Sequence, residues 1–257
     1  MDKDKKAILN LILGIERSTN RKSTLQLALM QARKLVGKKE GEIITPPKPK
    51  KQEQFEEHNS EIKQNDNLHN LSEVEVNEVI KDYSDQDNEE VMKIFTSLCL
   101  YLIVLDQLGH IYRSQGDNGS NMIEQAIKKS EAYNKLSPQN AERTSVSIAN
   151  LRNSINHNFG LANYNPFRNK GNRNYKFTIC ITEDDGIQQP IKLPIQDWDG
   201  DWKDKSDTTS TVVYPFSLMN YIEEVLSSYI EMHKKEAIES RLGTEELKTR
   251  FTIVTNF

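Results

Sequence analysis

Cysteine and histidine are scarce in this sequence. Its 257 residues include two cysteines, Cys99 and Cys180, and five histidines. Each cysteine stands alone among apolar neighbours, where a cysteine usually serves as a small buried hydrophobe. This usage argues against a disulfide framework and against a zinc site, and it fits a reducing cytoplasm. We therefore expect neither a bound metal nor a cofactor.

Long hydrophobic runs are also absent. Hydrophobic residues make up 36% of the chain and charged residues 28%, and the mean hydropathy is -0.70. No apolar run reaches the roughly 18 residues needed to cross a bilayer. The apolar segment 7–15 is short and lacks a cleavage-site pattern, so we expect no signal peptide and no membrane association. The composition predicts a soluble, cytoplasmic protein with some polar, unfolded sequence.

The common catalytic and nucleotide-binding motifs are missing. The sequence has no G-x-x-x-x-G-K-[ST], G-x-G-x-x-G, G-x-S-x-G or H-E-x-x-H. Asp197, Asp199 and Asp201 have the spacing that opens a calcium loop. However, Gly200 is in the wrong place for that loop, and Thr208 stands where the closing Glu belongs. We therefore expect no calcium site here.

Four parts follow one another along the chain. Residues 1–37 predict two short amphipathic helices, which cannot bury both apolar stripes alone and should dock on the main domain or on a partner. Residues 38–70 are rich in Pro, Lys, Gln, Glu and Asn, which predicts a disordered linker. Residues 71–243 form the main domain, and 244–257 are a tail that we leave unassigned.

The main domain is expected to be mainly α, a helical bundle with one small β-hairpin, separate from the short N-terminal helical segment. A short helix near 71–83 should precede a very apolar helix over 91–112, which belongs in the centre of a bundle or in a dimer interface. Alternating residues predict the hairpin at about 175–195, around a turn at 183–186. Further helices are predicted at 121–135, around 148–159 and at 218–238.

The helical stretch 148–159 carries a compact set of polar side chains. Its apolar residues form one stripe suited to packing against other helices, and Gly160 can cap its end. Arg152, Asn153 and His157 lie on the flanks of that stripe. Arg152 and His157 diverge by about 140° around the axis, yet both can reach one groove at a helix–helix boundary. A plainer interpretation is a surface Arg and a His favoured by the helix dipole.

The pattern R-N-x-x-x-H formed by Arg152, Asn153 and His157 resembles the signature of the HEPN superfamily (higher eukaryotes and prokaryotes nucleotide-binding domains). That signature is R-x(4–6)-H, with Asn, Asp or His commonly following the Arg. The resemblance covers roughly residues 88–240, with an apolar helix before the motif and an amphipathic helix after it. It implies a HEPN-like helical bundle that cleaves RNA without metal, as in bacterial toxins and anti-phage defence proteins. HEPN nucleases join two motifs in a composite site, so a chain with one motif should form a homodimer.

The resemblance also implies a role for each residue. His157 would move a proton, because the pKa of a histidine lies near neutrality. Arg152 would hold the phosphate and stabilise the charge that develops on it, and Asn153 would orient Arg152 or His157. Asp106, a carboxylate in the most apolar helix, would support the motif by pairing with Arg152 or His157, unless it lies at the solvent edge. His110, one turn later, is interpreted as structural.

A basic and aromatic segment follows the motif. The range 143–182 contains no Asp or Glu, in a chain whose net charge is -4. Within it Arg168, Lys170 and Arg173 are interleaved with aromatic residues, among them Tyr164. Cationic side chains neutralise phosphate and aromatic faces stack unpaired bases, so this segment is a candidate RNA-binding surface. The other interpretation is a flexible polar loop whose aromatics pack on the core.

The leading hypothesis is a metal-independent RNA endonuclease that acts as a homodimer on RNA and is open to control by a regulatory protein or antitoxin. The intact set of Arg152, Asn153 and His157 and the acid-free flank favour it. The alternative is a non-catalytic HEPN-like module that dimerises and binds nucleotide, RNA or a protein partner. A third hypothesis is a helical adaptor with no nucleic-acid role.

Overall fold

Helices dominate the part of the chain that the structure describes. The structure is a computed structural model that describes residues 2–16, 21–39, 42–45, 73–112, 121–158, 160–164, 173–181, 189–204 and 206–254, with 73–87, 156–158 and 254 described by their backbone alone. The prediction of a mainly α chain is confirmed. The helices are α1 Lys3–Leu13, α2 Thr24–Leu35, α3 Glu73–Ile111, α4 Met122–Lys129, α5 Ala141–Asn158, α6 Pro215–Lys234 and α7 Thr244–Phe251, and the strands are β1 Arg21–Ser23, β2 Ala162–Asn163, β3 Tyr175–Ile179, β4 Ile191–Lys192, β5 Thr211–Val213 and β6 Thr252–Val254.

The long helix α3 lies at the centre of the core. Leu98, Leu105 and Leu108 are fully buried in it, and it packs against α2, α4 and α6. The prediction of two separate helices here is wrong, because one helix runs without a break from Glu73 to Ile111. Residues 84–90 are polar but include neither Gly nor Pro, so they contain no residue that strongly disfavours a helix.

One stretch of α3 is long and apolar enough to cross a membrane by length and composition. Among the described residues this stretch is Asn88–Ile111, by a criterion that tolerates polar residues and so does not contradict the prediction that no uninterrupted apolar run has this length. The prediction counted uninterrupted apolar residues, which Asp106 and Gln107 break. A helix at the centre of a core meets the same criterion, because it is apolar nearly all round.

The two N-terminal helices pack on the main domain. α1 ends at Gly14, whose φ of 77° is the left-handed conformation that glycine adopts at low cost. The Ser23 hydroxyl caps α2 by accepting from the Gln26 N–H at 3.2 Å, and it donates to the carbonyl of Ile12 at 3.0 Å. The apolar stripes of both helices join the same buried cluster as α3, and Leu9, Ile12, Leu25 and Ala32 have no exposed surface in it.

A buried carboxylate on α6 ties α2 to the bundle. The Nε and Nη2 of Arg33 donate to the two oxygens of Glu223 at 2.8 and 2.6 Å. The Tyr101 hydroxyl donates to Glu223 Oε1 at 2.6 Å, and Lys38 Nζ lies 3.2 Å from the same oxygen. Burial raises the pKa of Glu223, but hydrogen bonds from Arg33 and Tyr101 outweigh it and hold the pKa below its usual value.

Part of the predicted linker 38–70 is in contact with the bundle. Ile44 is buried, and its backbone N–H and carbonyl both bond the side-chain amide of Asn220 on α6, each at 2.8 Å. The contacts of the N-terminal segment therefore continue beyond Gly37. The range 46–70, predicted to be disordered, lies outside the described residues.

A four-stranded sheet covers one side of the bundle, and it is not the predicted hairpin. The strand order is β2-β3-β5-β4, in which β3 and β5 are parallel and the other pairs antiparallel. The predicted pairing of two strands within 175–195 is wrong, because β5 lies between β3 and β4. A three-residue strand is too short to show alternation, and pairing across such a separation leaves no local signal. The predicted turn at 183–186 lies outside the described residues.

The tail 244–257, left unassigned from the sequence, returns to the N-terminal segment. β6 pairs with β1 in an antiparallel ladder, in which Arg21 is opposite Val254 and Ser23 is opposite Thr252. The helix before it, α7, packs against α1 and buries Leu247. The first and last elements of the described chain thus close on each other.

Candidate functional site

An ion pair joins α5 to α3 at the predicted motif. Arg152 Nη2 donates to Asp106 Oδ2 at 3.0 Å, and the two side chains are 22% and 19% exposed. A pair in this half-buried position is screened less than one in open solvent. The cationic partner that Asp106 needs is therefore Arg152.

The apolar stripe of α5 places Arg152 at this boundary. Ile148, Leu151 and Ile155 are buried, as an inward-facing stripe requires. Arg152 follows Leu151, so it emerges at the edge of the stripe, where its side chain is 22% exposed. Asp106 follows the fully buried Leu105 on α3 in the same way. Two chain segments with buried inner faces thus bring one cation and one anion together.

Two further polar side chains surround the pair. Arg152 Nη1 donates to Asn153 Oδ1 at 3.3 Å, so the residue after the Arg is in contact with its guanidinium. His110, interpreted as structural from the sequence, has its Nε2 3.9 Å from Asp106 Oδ2. Asp106 thus lies between a guanidinium and an imidazole. His157 belongs to the last turn of α5, and its side chain lies outside the described residues.

A second charged cluster lies on the other face of α5. Arg143 Nη2 is 3.2 Å from Asp197 Oδ1, and Arg173 Nε is 3.3 Å from Asp197 Oδ2. Arg143 and Arg152 are nine residues apart, about two and a half turns of a helix that rotates roughly 100° per residue, so their directions differ by about 180°. The contacts agree, because Arg143 faces the segment before β5 and Arg152 faces α3. The two clusters are therefore separated by the body of α5.

Three aromatic rings form a ledge beside the second cluster. The centroids of Trp198 and Trp202 are 5.0 Å apart at 81°. Tyr164 lies 6.1 Å from Trp198 and 5.8 Å from Trp202. Trp198 is buried while Trp202 is 62% exposed, so the ring of Trp202 faces solvent and packs on a buried ring. Edge-to-face contacts of this kind favour one orientation of the ring.

The structure gathers some predicted site residues and not others. Arg152, Asn153 and Asp106 are in contact with one another. Tyr164 and Arg173, predicted to bind RNA, both contact the segment 197–202 on the opposite face of α5. Arg168 and Lys170 lie outside the described residues.

Sequence reasoning missed several members of these clusters. His110 stands one helical turn from Asp106, a spacing that the sequence shows, but the sequence analysis interprets it as structural and does not include it in the site. Arg143 belongs to the acid-free segment, where nothing in the sequence distinguishes it from the other cations. Trp198 and Trp202 lie four residues apart in a segment assigned to neither helix nor strand, and nothing local linked them to Tyr164.

Comparison of the chain with protein-family models, with curated proteins and with solved structures finds no significant match in any of the three. The chemistry of the site therefore has to be argued from its own residues. Within the described residues, no three His, Cys, Asp or Glu side chains are grouped so that they could hold a metal ion. The groups available are a guanidinium, a carboxylate, an amide and a histidine at one face of α5, and two guanidiniums with an aromatic ledge at the other.

Proposed function

We propose that this protein is a metal-independent RNA endonuclease of the HEPN kind, as in bacterial toxins and anti-phage defence proteins. The observation that carries the proposal is the arrangement around Arg152. On the helix that bears R-N-x-x-x-H, the Arg contacts the Asn that follows it and a carboxylate of the preceding core helix. A surface arginine with no task other than solubility needs neither contact.

Cleavage of RNA without a metal uses the substrate's own nucleophile. A base removes the proton of a ribose 2′-hydroxyl, and the oxygen attacks the adjacent phosphorus. The bond from phosphorus to the 5′-oxygen breaks, and that oxygen takes up a proton. The products are a 2′,3′-cyclic phosphate and a 5′-hydroxyl. A histidine suits both proton transfers because its pKa lies near the working pH.

Each residue of the motif has a part in this scheme. His157 carries the proton, and Arg152 binds the phosphoryl oxygens, on which negative charge increases in the transition state. A planar guanidinium carries five N–H donors in a fork that matches the oxygens of a phosphate, which suits Arg152 to this part. Asp106 is a positioning residue, because its ion pair with Arg152 sets the orientation of the guanidinium. Since the chain has one motif, two copies of the protein would assemble the composite site.

His110 is the competing proton carrier. It lies one turn from Asp106 on α3 and is 42% exposed at its side chain, so an RNA strand at Arg152 could reach it. We assign the proton transfer to His157 because it belongs to the motif. The assignment is open to a direct test.

The test measures cleavage of several RNA classes in excess EDTA by the wild type and by single variants. We expect Arg152→Ala to lower the rate by about 10²–10³-fold and His157→Ala by about 10²–10⁴-fold. His110→Ala should change it by only a few fold. The matched control is Arg250→Ala, which removes a 54% exposed arginine from α7 and should leave the rate unchanged. Circular dichroism and analytical ultracentrifugation establish that all variants are folded and equally dimeric.

The possible results separate the hypotheses. If His110→Ala abolishes cleavage and His157→Ala does not, the nuclease stands and its proton carrier is His110. If a folded, dimeric wild type cleaves none of the RNAs, the endonuclease is refuted and a non-catalytic module that binds nucleotide, RNA or a protein takes its place. A monomeric wild type that cleaves RNA would refute the composite site.

A further inference from the structure

A cavity separates α5 from the sheet on the face opposite Arg152. Its volume is about 220 Å³, and its lining includes Arg143, Arg173, Tyr175 and Trp198. We infer that this cavity binds a nucleotide unit through its phosphate, with Arg143 and Arg173 as the phosphate ligands and Trp202 as the surface on which the base stacks. This deepens the proposed function, and it rests on that function only in naming RNA as the source of the nucleotide.

Two arginines of the cavity share one carboxylate. Arg143 and Arg173 share the single carboxylate of Asp197, which can neutralise one of them. Each guanidinium offers five donors, and within the described part of the chain each forms its ion pair with Asp197 through one nitrogen. The three side chains are 37%, 44% and 40% exposed, so an anion can reach them from solvent. Two forked donors around one opening match the geometry of a phosphate.

The other charged residues of the lining are already engaged. Lys176 Nζ donates to the carbonyls of Asp204 and Ser206, both at 3.0 Å, so it braces a loop instead of facing a ligand. Glu142 lies 2.9 Å from Lys128 on α4, which also pairs with Glu124 at 2.7 Å, so its negative charge is compensated in part. The anion-binding capacity of the cavity therefore resides in Arg143 and Arg173.

The aromatic ledge gives the site a place for the base. Trp198 lines the cavity and its ring contacts that of Trp202, so one ring connects the cavity to the exposed indole. A single exposed aromatic ring is ordinary on a protein surface. This one is held by two other rings, which lowers the conformational entropy lost when a base stacks on it. Stacking tolerates any base, because each has a π-face.

The cavity is distinct from the cleavage site. Arg143 and Arg152 are separated by nine residues of α5, about 14 Å along the axis at 1.5 Å per residue, and they face opposite ways. A nucleotide in the cavity would therefore lie away from the bond that is cut. Loss of binding at the cavity should therefore lower the affinity for RNA without changing the rate at which bound RNA is cleaved at Arg152.

The chain provides its own reporter for this site. Its two tryptophans are Trp198 and Trp202, so intrinsic tryptophan fluorescence arises at the ledge alone. Uridine 5′-monophosphate and a short 2′-O-methyl oligouridylate are the probes. The methylated strand has no 2′-hydroxyl to attack the phosphate, so its binding is measured without cleavage. We expect saturable quenching by the strand, and quenching by the monophosphate as well if a free nucleotide suffices.

Variants test the assignment in both directions. Arg143→Gln and Arg173→Gln should each weaken binding at least about fivefold and reduce the salt slope by about 0.7 for each phosphate that the protein no longer neutralises. Trp202→Ala should weaken binding by about 5–150-fold, read by fluorescence anisotropy of a labelled strand. Asp197→Asn removes the competing carboxylate and should tighten binding. Arg250→Gln, an exposed arginine on α7, is the matched control.

Several results would overturn the inference. They are a wild type that binds neither probe, Arg143→Gln and Arg173→Gln variants that bind as tightly as Arg250→Gln, and an Asp197→Asn variant that is folded but binds more weakly. The proposed function fails separately, through the absence of cleavage. If the protein cleaves no RNA but binds the methylated strand in a way that depends on Arg173, the binding site stands and only the proposed nuclease activity is refuted.

Discussion

Replacing Glu223 with Gln tests how strongly the N-terminal segment is fastened to the bundle. The carboxylate accepts two hydrogen bonds from Arg33 and one from Tyr101, and Lys38 Nζ lies 3.2 Å away. The amide keeps the shape of the side chain but removes the charge. It also puts an N–H group where one oxygen accepted from Arg33. Two cations then face each other without a counter-charge.

The size of the effect follows from burial. The side chains of Arg33 and Glu223 are 17% and 13% exposed, and that of Lys38 is 4% exposed. Removing one partner of a buried ion pair costs about 3–5 kcal/mol. The residual exposure and the remaining amide oxygen reduce this, so we expect a loss of about 2–3 kcal/mol. At about 2–4 °C per kcal/mol for a domain of this size, the Tm should fall by about 8 °C.

The assay compares thermal and urea denaturation of Glu223→Gln with that of Glu231→Gln on the same helix. Glu231 lies 2.9 Å from Lys234 and is 55% exposed, so its replacement should leave the Tm within about 1 °C of the wild type. Hydrogen exchange should show weaker protection in α2, which carries Arg33. Equal Tm values for the two variants would refute the reasoning. So would a double-mutant cycle with Arg33→Gln in which the two effects simply add.

Two further predictions concern the core. Gly109→Ala should lower the free energy of unfolding by about 1–3 kcal/mol, because the new Cβ would overlap the backbone carbonyl of Met122. The control in urea denaturation is Gly243→Ala, because a Cβ at Gly243 would meet open space. Equal stability of the two variants would contradict the prediction. Burial, with a smaller effect from Lys6, lowers the pKa of His233, so the folded protein binds fewer protons here than the unfolded chain, whose His has a pKa of about 6.5. Stability should thus be full above about pH 6.5 and decline as the pH falls through the folded pKa of His233. Urea denaturation across this range should show a smaller pH slope for His233→Gln, and an unchanged slope would contradict the prediction.

The fold could be predicted where the information is local. Periodic apolar residues such as Leu25 and Leu29 identified their helix, and the buried stripe at Ile148, Leu151 and Ile155 located α5. The sheet could not be predicted in the same way. β5 has three residues, and its parallel pairing with β3 depends on contacts across more than thirty residues.

For the candidate site, the sequence predicted that Asp106 needs a partner but not which residue the partner is. The cost of burying an unpaired carboxylate indicated that Asp106 needs a donor, which narrows the search to nearby cations. The choice between Arg152 and His157 depends on how α3 and α5 cross, and no sequence pattern encodes that. The contact among Tyr164, Trp198 and Trp202 could not be predicted for the same reason. These rings lie on separate segments of the chain, which meet only after the sheet has formed.

The pairing of β1 with β6 constrains the order in which parts of the protein can fold. Thr24 donates to the carbonyl of Phe251 across 227 residues, and closing a loop of that length costs about 5 kcal/mol of chain entropy before any constant term. A ladder of three residue pairs cannot offset this alone, so it has to form together with the packing of α7 on α1. During translation the apolar stripe of α1 therefore stays partly uncovered until residue 251 has left the ribosome.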